Sequence, residues 1–398
     1  MIVSVALAVC SLPVLCWTAY LATLALLSRA NSTARSAAAP RIRFEVIVPA
    51  HDEERGIAAT VASLLAAQYP PELRRVVVVA DNCTDRTAVR ATEAGAVVVE
   101  RNDPARRGKG YALAHAFERV LREGRADAVV VVDADTTVGS NLLQVLDARL
   151  QAGARAVQVH YGVANRQASW RTRLMHIAFT LFHDVRSRAR ERFGASAGLR
   201  GNGMAFPLVT LHEVPYDAFS LVEDVEYGIR LGLAGHRVQY AGEAQVLGEM
   251  VSSERGSRSQ RQRWEGGRWA LARRQARQLL GEALRRRSVV LLDLAADLLV
   301  PPLTYVALAA VGGAGASAVW VALGHGAWWS IAPWCVALAG LAVYIIRGVW
   351  LSGTGMRGIL DLLWVPVYLV WKLTLARRAS SAHEREWVRT TREEREKP

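Results

Sequence analysis

Phe44-Glu45-Val46-Ile47-Val48-Pro49-Ala50-His51-Asp52-Glu53-Glu54 begins as a β-branched run and ends abruptly in polar and acidic residues. This is the pattern of a strand whose carboxyl end opens into a loop. Val76 to Val79, Ala96 to Val99 and Ala128 to Val132 repeat the β-branched run, and amphipathic stretches lie between them near Gly56 to Ala67, Thr84 to Ala94 and Gly108 to Leu121. Strand and helix in alternation predict an α/β fold, a mostly parallel sheet covered by helices on both faces. Ligands of such sheets bind outside the carboxyl ends of the strands. The polar end at Ala50 to Glu54, the cluster Asp81-Asn82-Cys83-Thr84-Asp85 and Asp133-Ala134-Asp135 each follow a strand end, so they are expected on one edge. No Gly-x-Gly-x-x-Gly follows a strand, which argues against a dinucleotide fold.

Asp133 and Asp135 are separated by one small residue, and an extended backbone would aim both carboxylates the same way. Two hard oxygen ligands side by side suit Mg²⁺ or Mn²⁺, ions that take further ligands from substrate phosphates. The competing reading is a turn that ends a strand, where aspartate is common. Around Asp81 the alternative is capping of the next helix by Thr84 and Asp85. Further on come Glu223-Asp224 and Gln260-Arg261-Gln262-Arg263-Trp264. Gln260, Arg263 and Trp264 stand at i, i+3 and i+4, so a helix presents them on one face. Arg263 then offers a fork of donors to a diphosphate and Trp264 a flat surface to a sugar ring. The alternative there is a basic interfacial helix anchored by Arg and Trp. Arg273, Arg274 and Arg277 suit lipid headgroups. Arg200-Gly201-Asn202-Gly203 is either a close backbone approach to an acceptor or a plain turn, and His183-Asp184 reads as part of a core or helix interface.

Taken in order, Val46 to Glu54, the Asp81 cluster, Gly108-Lys109-Gly110, Asp133-Ala134-Asp135, Glu223-Asp224 and Gln260-x-x-Arg263-Trp264 resemble the family 2 glycosyltransferases. The resemblance is to the membrane-embedded branch that holds cellulose, chitin, hyaluronan and poly-N-acetylglucosamine synthases. It implies a GT-A fold, a nucleotide-sugar donor, a divalent cation and inversion at the anomeric carbon. It also implies that Ala50, Glu53 and Asp81 line the uracil and ribose pocket, that Lys109 lies near the nucleotide, that Asp133 and Asp135 hold the diphosphate through the metal, and that Asp224 is the general base. The chain departs from the family pattern in His51-Asp52, where Tyr-Asn is usual, and in Asp81-Asn82-Cys83, where Asp-Gly-Ser is commoner. Neither change removes a carboxylate.

Composition places this chemistry beside a membrane. Of 398 residues 52% are apolar, and the net charge of +13 is carried almost wholly by arginine. That excess gathers next to apolar segments, the arrangement of cytoplasmic loops rather than of a nucleic-acid binder. Ile2 to Leu27 is long enough for a bilayer core, which needs about 20 helical residues. Arg29, Arg35, Arg41 and Arg43 follow it, placing Met1 outside and the rest inside. Leu303 to Leu323 and Trp329 to Arg347 are further spans, whereas Asp293, Asp297 and Pro301-Pro302 suit the segment before them to an interfacial helix. Arg347 and Arg357 return the chain to the cytoplasm, and Ile359 to Ala376 reads as re-entrant or interfacial. Cys10, Cys16, Cys83 and Cys335 show no paired spacing, as expected of a reducing compartment.

The domain expectations are a membrane helix at 1–29, a linker at 30–43, a cytoplasmic GT-A domain at 44–274, interfacial and transmembrane helices at 275–376 and a charged tail at 377–398. The expected protein is a multi-pass enzyme of a bacterial inner membrane. It moves sugar from a UDP-sugar to a growing surface polysaccharide, with membrane lipids around it and export or accessory subunits as partners. Single transfer to a membrane lipid is the alternative, because few spans are present and ceramide glucosyltransferases resemble the Gln-x-x-Arg-Trp pattern. A catalytically silent partner in an export complex is a third reading, disfavoured because every carboxylate of the motif set is present.

Overall fold

A computed structural model of the chain describes residues 1–29, 39–250 and 254–365, with side chains from 264 onward in the last segment. Residues 30–38 of the expected linker and 366–398, including the charged tail, lie outside the described residues.

The chain opens with helix α1 (Ile2–Leu27) and then alternates β1 (Phe44–Ala50), α2 (Ile57–Leu65), β2 (Arg74–Asp81), α3 (Thr87–Glu93), β3 (Val97–Arg101), α4 (Lys109–Glu123) and β4 (Ala128–Val131). β1, β2, β3 and β4 pair in parallel in the order β3-β2-β1-β4. All seven residues of β1 are buried because both its faces are covered. Val46 and Val48 pack with Ile57, Val61 and Leu64 of α2 on one side. Ile47 packs with Leu113, Ala116 and Phe117 of α4 on the other.

The second half departs from the mostly parallel expectation. β5 (Thr136–Val138), α5 (Leu142–Gln151), β6 (Val157–Val163), β7 (Met204–Pro207) and β8 (Gln239–Gly248) complete one eight-stranded sheet of order β3-β2-β1-β4-β7-β6-β8-β5. Here β7 runs antiparallel to both β4 and β6, and β5 antiparallel to β8. β5 and β7 have three and four residues, too short for local alternation to be read. Between β6 and β7 run α6 (Trp170–Phe179), a π-helical turn Thr180–Val185 and α7 (Arg186–Phe193). α8 (Leu208–Glu213) and α9 (Glu223–Leu233) follow β7.

After β8, α10 (Glu254–Arg286) is one helix, continuous through 274 and 275, where the sequence divides the catalytic domain from the interfacial and transmembrane helices. Leu271, Ala272, Ala276, Leu279 and Ala283 form its buried stripe against α9 and α11 (Val289–Leu299), while Arg273, Arg274 and Arg277 are exposed. α11 is short for a bilayer at 11 residues. Its Asp293 and Asp297 turn inward to Arg190 and Arg186 of α7. α12 (Leu303–Ala322), α13 (Ala332–Ser352) and α14 (Gly355–Asp361) end the described chain.

Three segments among the described residues are long and apolar enough to cross a membrane, Ile2–Leu27, Leu303–Ala322 and Trp328–Ser352. α1 packs on α13 through Leu21, Ala25, Tyr344 and Val349. Arg347 of α13 donates to the Ser28 carbonyl at 2.6 Å and to its hydroxyl at 2.8 Å, capping the carboxyl end of α1 with a cation.

Candidate active site

The sheet brings the acidic motifs to one edge. β1, β2 and β4 are parallel and in register, so Ala50, Asp81 and the Asp133 turn follow the same end. Ala50 is buried, and its carbonyl accepts from the Cys83 thiol at 3.5 Å. The Glu53 amide donates to the Thr87 hydroxyl at 2.7 Å, closing the first loop over α3. Asp85 accepts from the amide of Thr87, the first residue of α3, at 2.9 Å, whereas Thr84 turns to Asp52, donating its amide at 2.6 Å. Asp52, Cys83 and Asp85 bring their ligand atoms within 4.8 Å of one another. Loop hydrogen bonds account for that cluster, with the Thr84, Asp85, Glu54 and Thr87 amides satisfying its carboxylates.

Asp81 is fully buried at the end of β2. Its Oδ1 accepts from Arg101 at 2.6 Å and from Asn82 at 3.1 Å, while its Oδ2 has no hydrogen-bond partner among the described residues. An orphaned buried carboxylate oxygen is costly unless a ligand donor reaches it. His51 faces the same residue through a 2.8 Å contact between Nδ1 and the Asp81 carbonyl. Arg101 ends β3 and also holds Asp103, so it fixes the wall of this pocket. Nothing local in the sequence pairs it with Asp81.

The Asp133 region differs from the extended geometry expected of it. The Thr136 amide donates to the Asp133 carbonyl at 3.2 Å, so the backbone turns between the two aspartates. A turn buries Ala134 beneath and leaves Asp133 and Asp135 half-exposed on its rim. The Asp133 amide is held by Asn202 Oδ1 at 3.2 Å, and Asn202 is itself buried and donates to Thr136. Two half-exposed carboxylates on a turn offer the oxygen donors that a hard divalent cation takes.

Lys109, the first residue of α4, joins this turn to the second acidic motif. Its ammonium donates to Asp133 Oδ1 at 2.5 Å and to the Gly201 carbonyl at 2.6 Å, with Glu223 Oε1 at 4.0 Å. Burial pulls its pKa down, but Asp133 and then Glu223 outweigh it and the net direction is up. Glu223 and Asp224 occupy the first turn of α9, where a helix amino end favours negative charge. Burial nevertheless raises both, Glu223 to about 7, with Lys109 opposing. Gly201 has φ +77, and a Cβ there would sit 3.4 Å from Lys109 Nζ and 3.5 Å from Asp224 Oδ2. Gly203 has φ +69, and a side chain would strike Val159. The Arg200 to Gly203 segment is thus a close backbone approach at the site, and also a turn.

Tyr161 on β6 was not singled out by sequence. Burial, then Asp133, Asp135 and Asp224, push its phenol well above its ordinary pKa, so all three carboxylates stand within electrostatic reach of one ring. Next to it are Phe179, His183 and Trp264, with Trp264 6.0 Å from Phe179. His183 is a stacked core residue, as its helix position implies. Gln260 and Arg263 belong to α10, but their side chains lie outside the described residues.

A family model described as glycosyltransferase like family 2 matches residues 40–267. The low-salt glycan biosynthesis hexosyltransferase Agl6 of Haloferax volcanii is 38% identical over 119 residues, 28% of this chain and 27% of its own length. A beta-monoglucosyldiacylglycerol synthase of Synechocystis is 31% identical over 230 residues, 56% of this chain and 47% of its own. The chain therefore spans less than half the length of either relative. Among solved structures, the mannosyltransferase PcManGT of Pyrobaculum calidifontis, in complex with GDP-Man and Mn²⁺, superposes with a TM-score of 0.52 at 18% identity. It covers 86% of this chain and 97% of its own, a likeness of fold.

Proposed function

The chain belongs to glycosyltransferase family 2, with a GT-A fold, and we propose that it transfers a hexose from a UDP-sugar, with inversion, to an acceptor at the membrane face. The observation that carries this reading is the Lys109 bridge, which sets Asp133 from one motif against Glu223 and Asp224 from another. Asp81, with one buried oxygen unpartnered among the described residues, would accept from the base of the nucleotide, with Ala50 and Glu53 completing that end. A divalent cation bound by Asp133 and Asp135 would neutralise charge growing on the departing diphosphate. Lys109 holds the Asp133 carboxylate in place. Asp224 takes the acceptor hydroxyl proton as the acceptor oxygen attacks the anomeric carbon and the bond to the diphosphate breaks. Burial raises its pKa, which makes it a stronger base than an exposed carboxylate. Trp264, Phe179 and Tyr161 supply an apolar wall for the sugar, and the motif assigns Arg263 to the leaving diphosphate and counts Gln260 among the catalytic residues.

Of the two acceptors, a membrane lipid is favoured over a growing surface polysaccharide. Glu223 and Asp224 begin the helix that packs on α11, which leads directly into α12. An acceptor hydroxyl carried by a lipid would therefore meet the base without a long channel. The placement proposed is the inner membrane with the catalytic domain cytoplasmic. Membranes incubated with a panel of UDP-sugars and read by mass spectrometry test the assignment. A one-sugar lipid supports it, a polymer restores the polysaccharide reading, and no product from any UDP-sugar would reject the donor class.

A further inference from the structure

Where the catalytic domain meets α11, a cavity of ≈ 20 Å³ is lined by Arg190, Arg200, Arg268 and Asp297, with Val225 of α9 and Leu298 of α11 among its apolar neighbours. Val225 directly follows Asp224. Three guanidiniums thus face one carboxylate, and the wider cluster repeats the imbalance. Asp297 Oδ1 takes Arg186 and Arg190 at 2.7 Å each, Asp293 takes Arg190 at 2.8 Å, and Arg268 reaches Asp297 at 3.5 Å. Four arginines stand against two aspartates, with the Asp224 carboxylate a third negative group within electrostatic reach of Arg200 and Arg268.

Arg200 carries the excess. It is 7% exposed, its guanidinium donates only to the carbonyls of Ala197 and Phe182 among the described residues, and its Nε has no partner there. Arg268 likewise leaves one terminal nitrogen without a hydrogen bond. The Phe182 ring, carried into the cluster by the π-helical turn, lies under Arg200 at 4.3 Å, Arg186 at 4.8 Å and Arg268 at 5.1 Å. One ring face offsets part of that charge. It cannot replace a carboxylate, and an uncompensated buried cation is strongly unfavourable. Burial accordingly lowers the Arg200 guanidinium, Asp297 opposes, and Arg190, Arg268 and Arg186 add to the fall, which ends at about 10.

We propose that this cavity binds an oxygen of a phosphoryl headgroup on a membrane amphiphile, holding the acceptor with its hydroxyl toward Asp224. The inference rests on the lipid-acceptor reading and adds the charge of the headgroup to it. Its volume admits an oxygen-sized group rather than a sugar. Paired guanidinium donors match a phosphoryl group in geometry and charge. The leucines on the α11 side suit the apolar part of the ligand, next to the helix that enters α12.

The test uses the full chain in detergent micelles and reads its thermal unfolding midpoint. Micelles doped with phosphatidic acid should raise the midpoint saturably, neutral diacylglycerol should not, and inorganic phosphate at constant ionic strength should compete. Arg200→Gln should weaken the phosphatidic acid response about tenfold, the loss of one charge-assisted contact, and Arg200→Lys should weaken it less. UDP should stabilise wild type and variants alike; its failure on wild type would count against the UDP-sugar donor and leave the headgroup site to be judged on lipid alone. An equal response to diacylglycerol, or one indifferent to Arg200→Gln, overturns the proposal. A response to phosphate with none to phosphatidic acid overturns the headgroup assignment. If Arg200→Gln does not fold, competition on wild type and the lysine variant decide.

Discussion

Lys109 and Asp133, 24 residues apart, meet through a 2.5 Å contact between ammonium and carboxylate. Because the same ammonium also reaches Gly201 and Glu223, one cation sets the spacing between the turn that would hold a metal and the helix that carries the proposed base. It also neutralises the carboxylate that a divalent cation would use, so under the proposed metal role the two cations would compete for one oxygen.

That competition can be measured without turnover. In the absence of nucleotide, Lys109→Met should bind Mn²⁺ several-fold more tightly than wild type by titration calorimetry, since a rival charge at Asp133 is gone. Transfer should fall nonetheless, because Asp133 and Glu223 lose the group that positions them. Unchanged or weaker Mn²⁺ binding would show that the Lys109 contact and the metal do not share Asp133.

Removal of divalent cations should abolish transfer in EDTA-treated membranes, and Mn²⁺ or Mg²⁺ should restore it. Asp135→Asn should raise the concentration of metal needed for half-maximal recovery. Full activity in the chelator would remove the metal role from both aspartates.

Asp224→Asn keeps size and polarity but cannot take a proton. Donor affinity should stay within a few-fold while turnover falls by about 10² to 10⁴. Turnover equal to wild type would pass the base role to another group, with Glu223 the nearest.

Glu223 supplies a pH signature. Its folded pKa, raised by burial to about 7, exceeds the ordinary carboxylate value. Between those two values the folded protein binds more protons than the unfolded chain, so stability falls as pH rises through the window and levels off above it. Glu223→Gln should flatten the fall in thermal midpoint from pH 5 to about 7. A slope identical to wild type would mean that Glu223 does not titrate there.

The alternating valine runs and amphipathic segments of residues 44 to 132 specified the parallel half of the sheet, because side-chain period is a local property that a linear chain displays directly. The ordered acidic motifs likewise placed Ala50, Asp81 and Asp133 at one sheet edge, since parallel strands in register end together. Apolar length alone marked the segments able to cross a membrane. Only the folded chain decided which charges meet. Arg101 closes on Asp81, Lys109 bridges Asp133 and Glu223, and Arg186 and Arg190 find Asp293 and Asp297 about a hundred positions later. An arginine carries the same charge and reach wherever it stands in the sequence, so its partner is set by the packing of distant elements. The excess of arginine around Arg200 is legible only there, because a short supply of counter-charge becomes costly once burial has removed water.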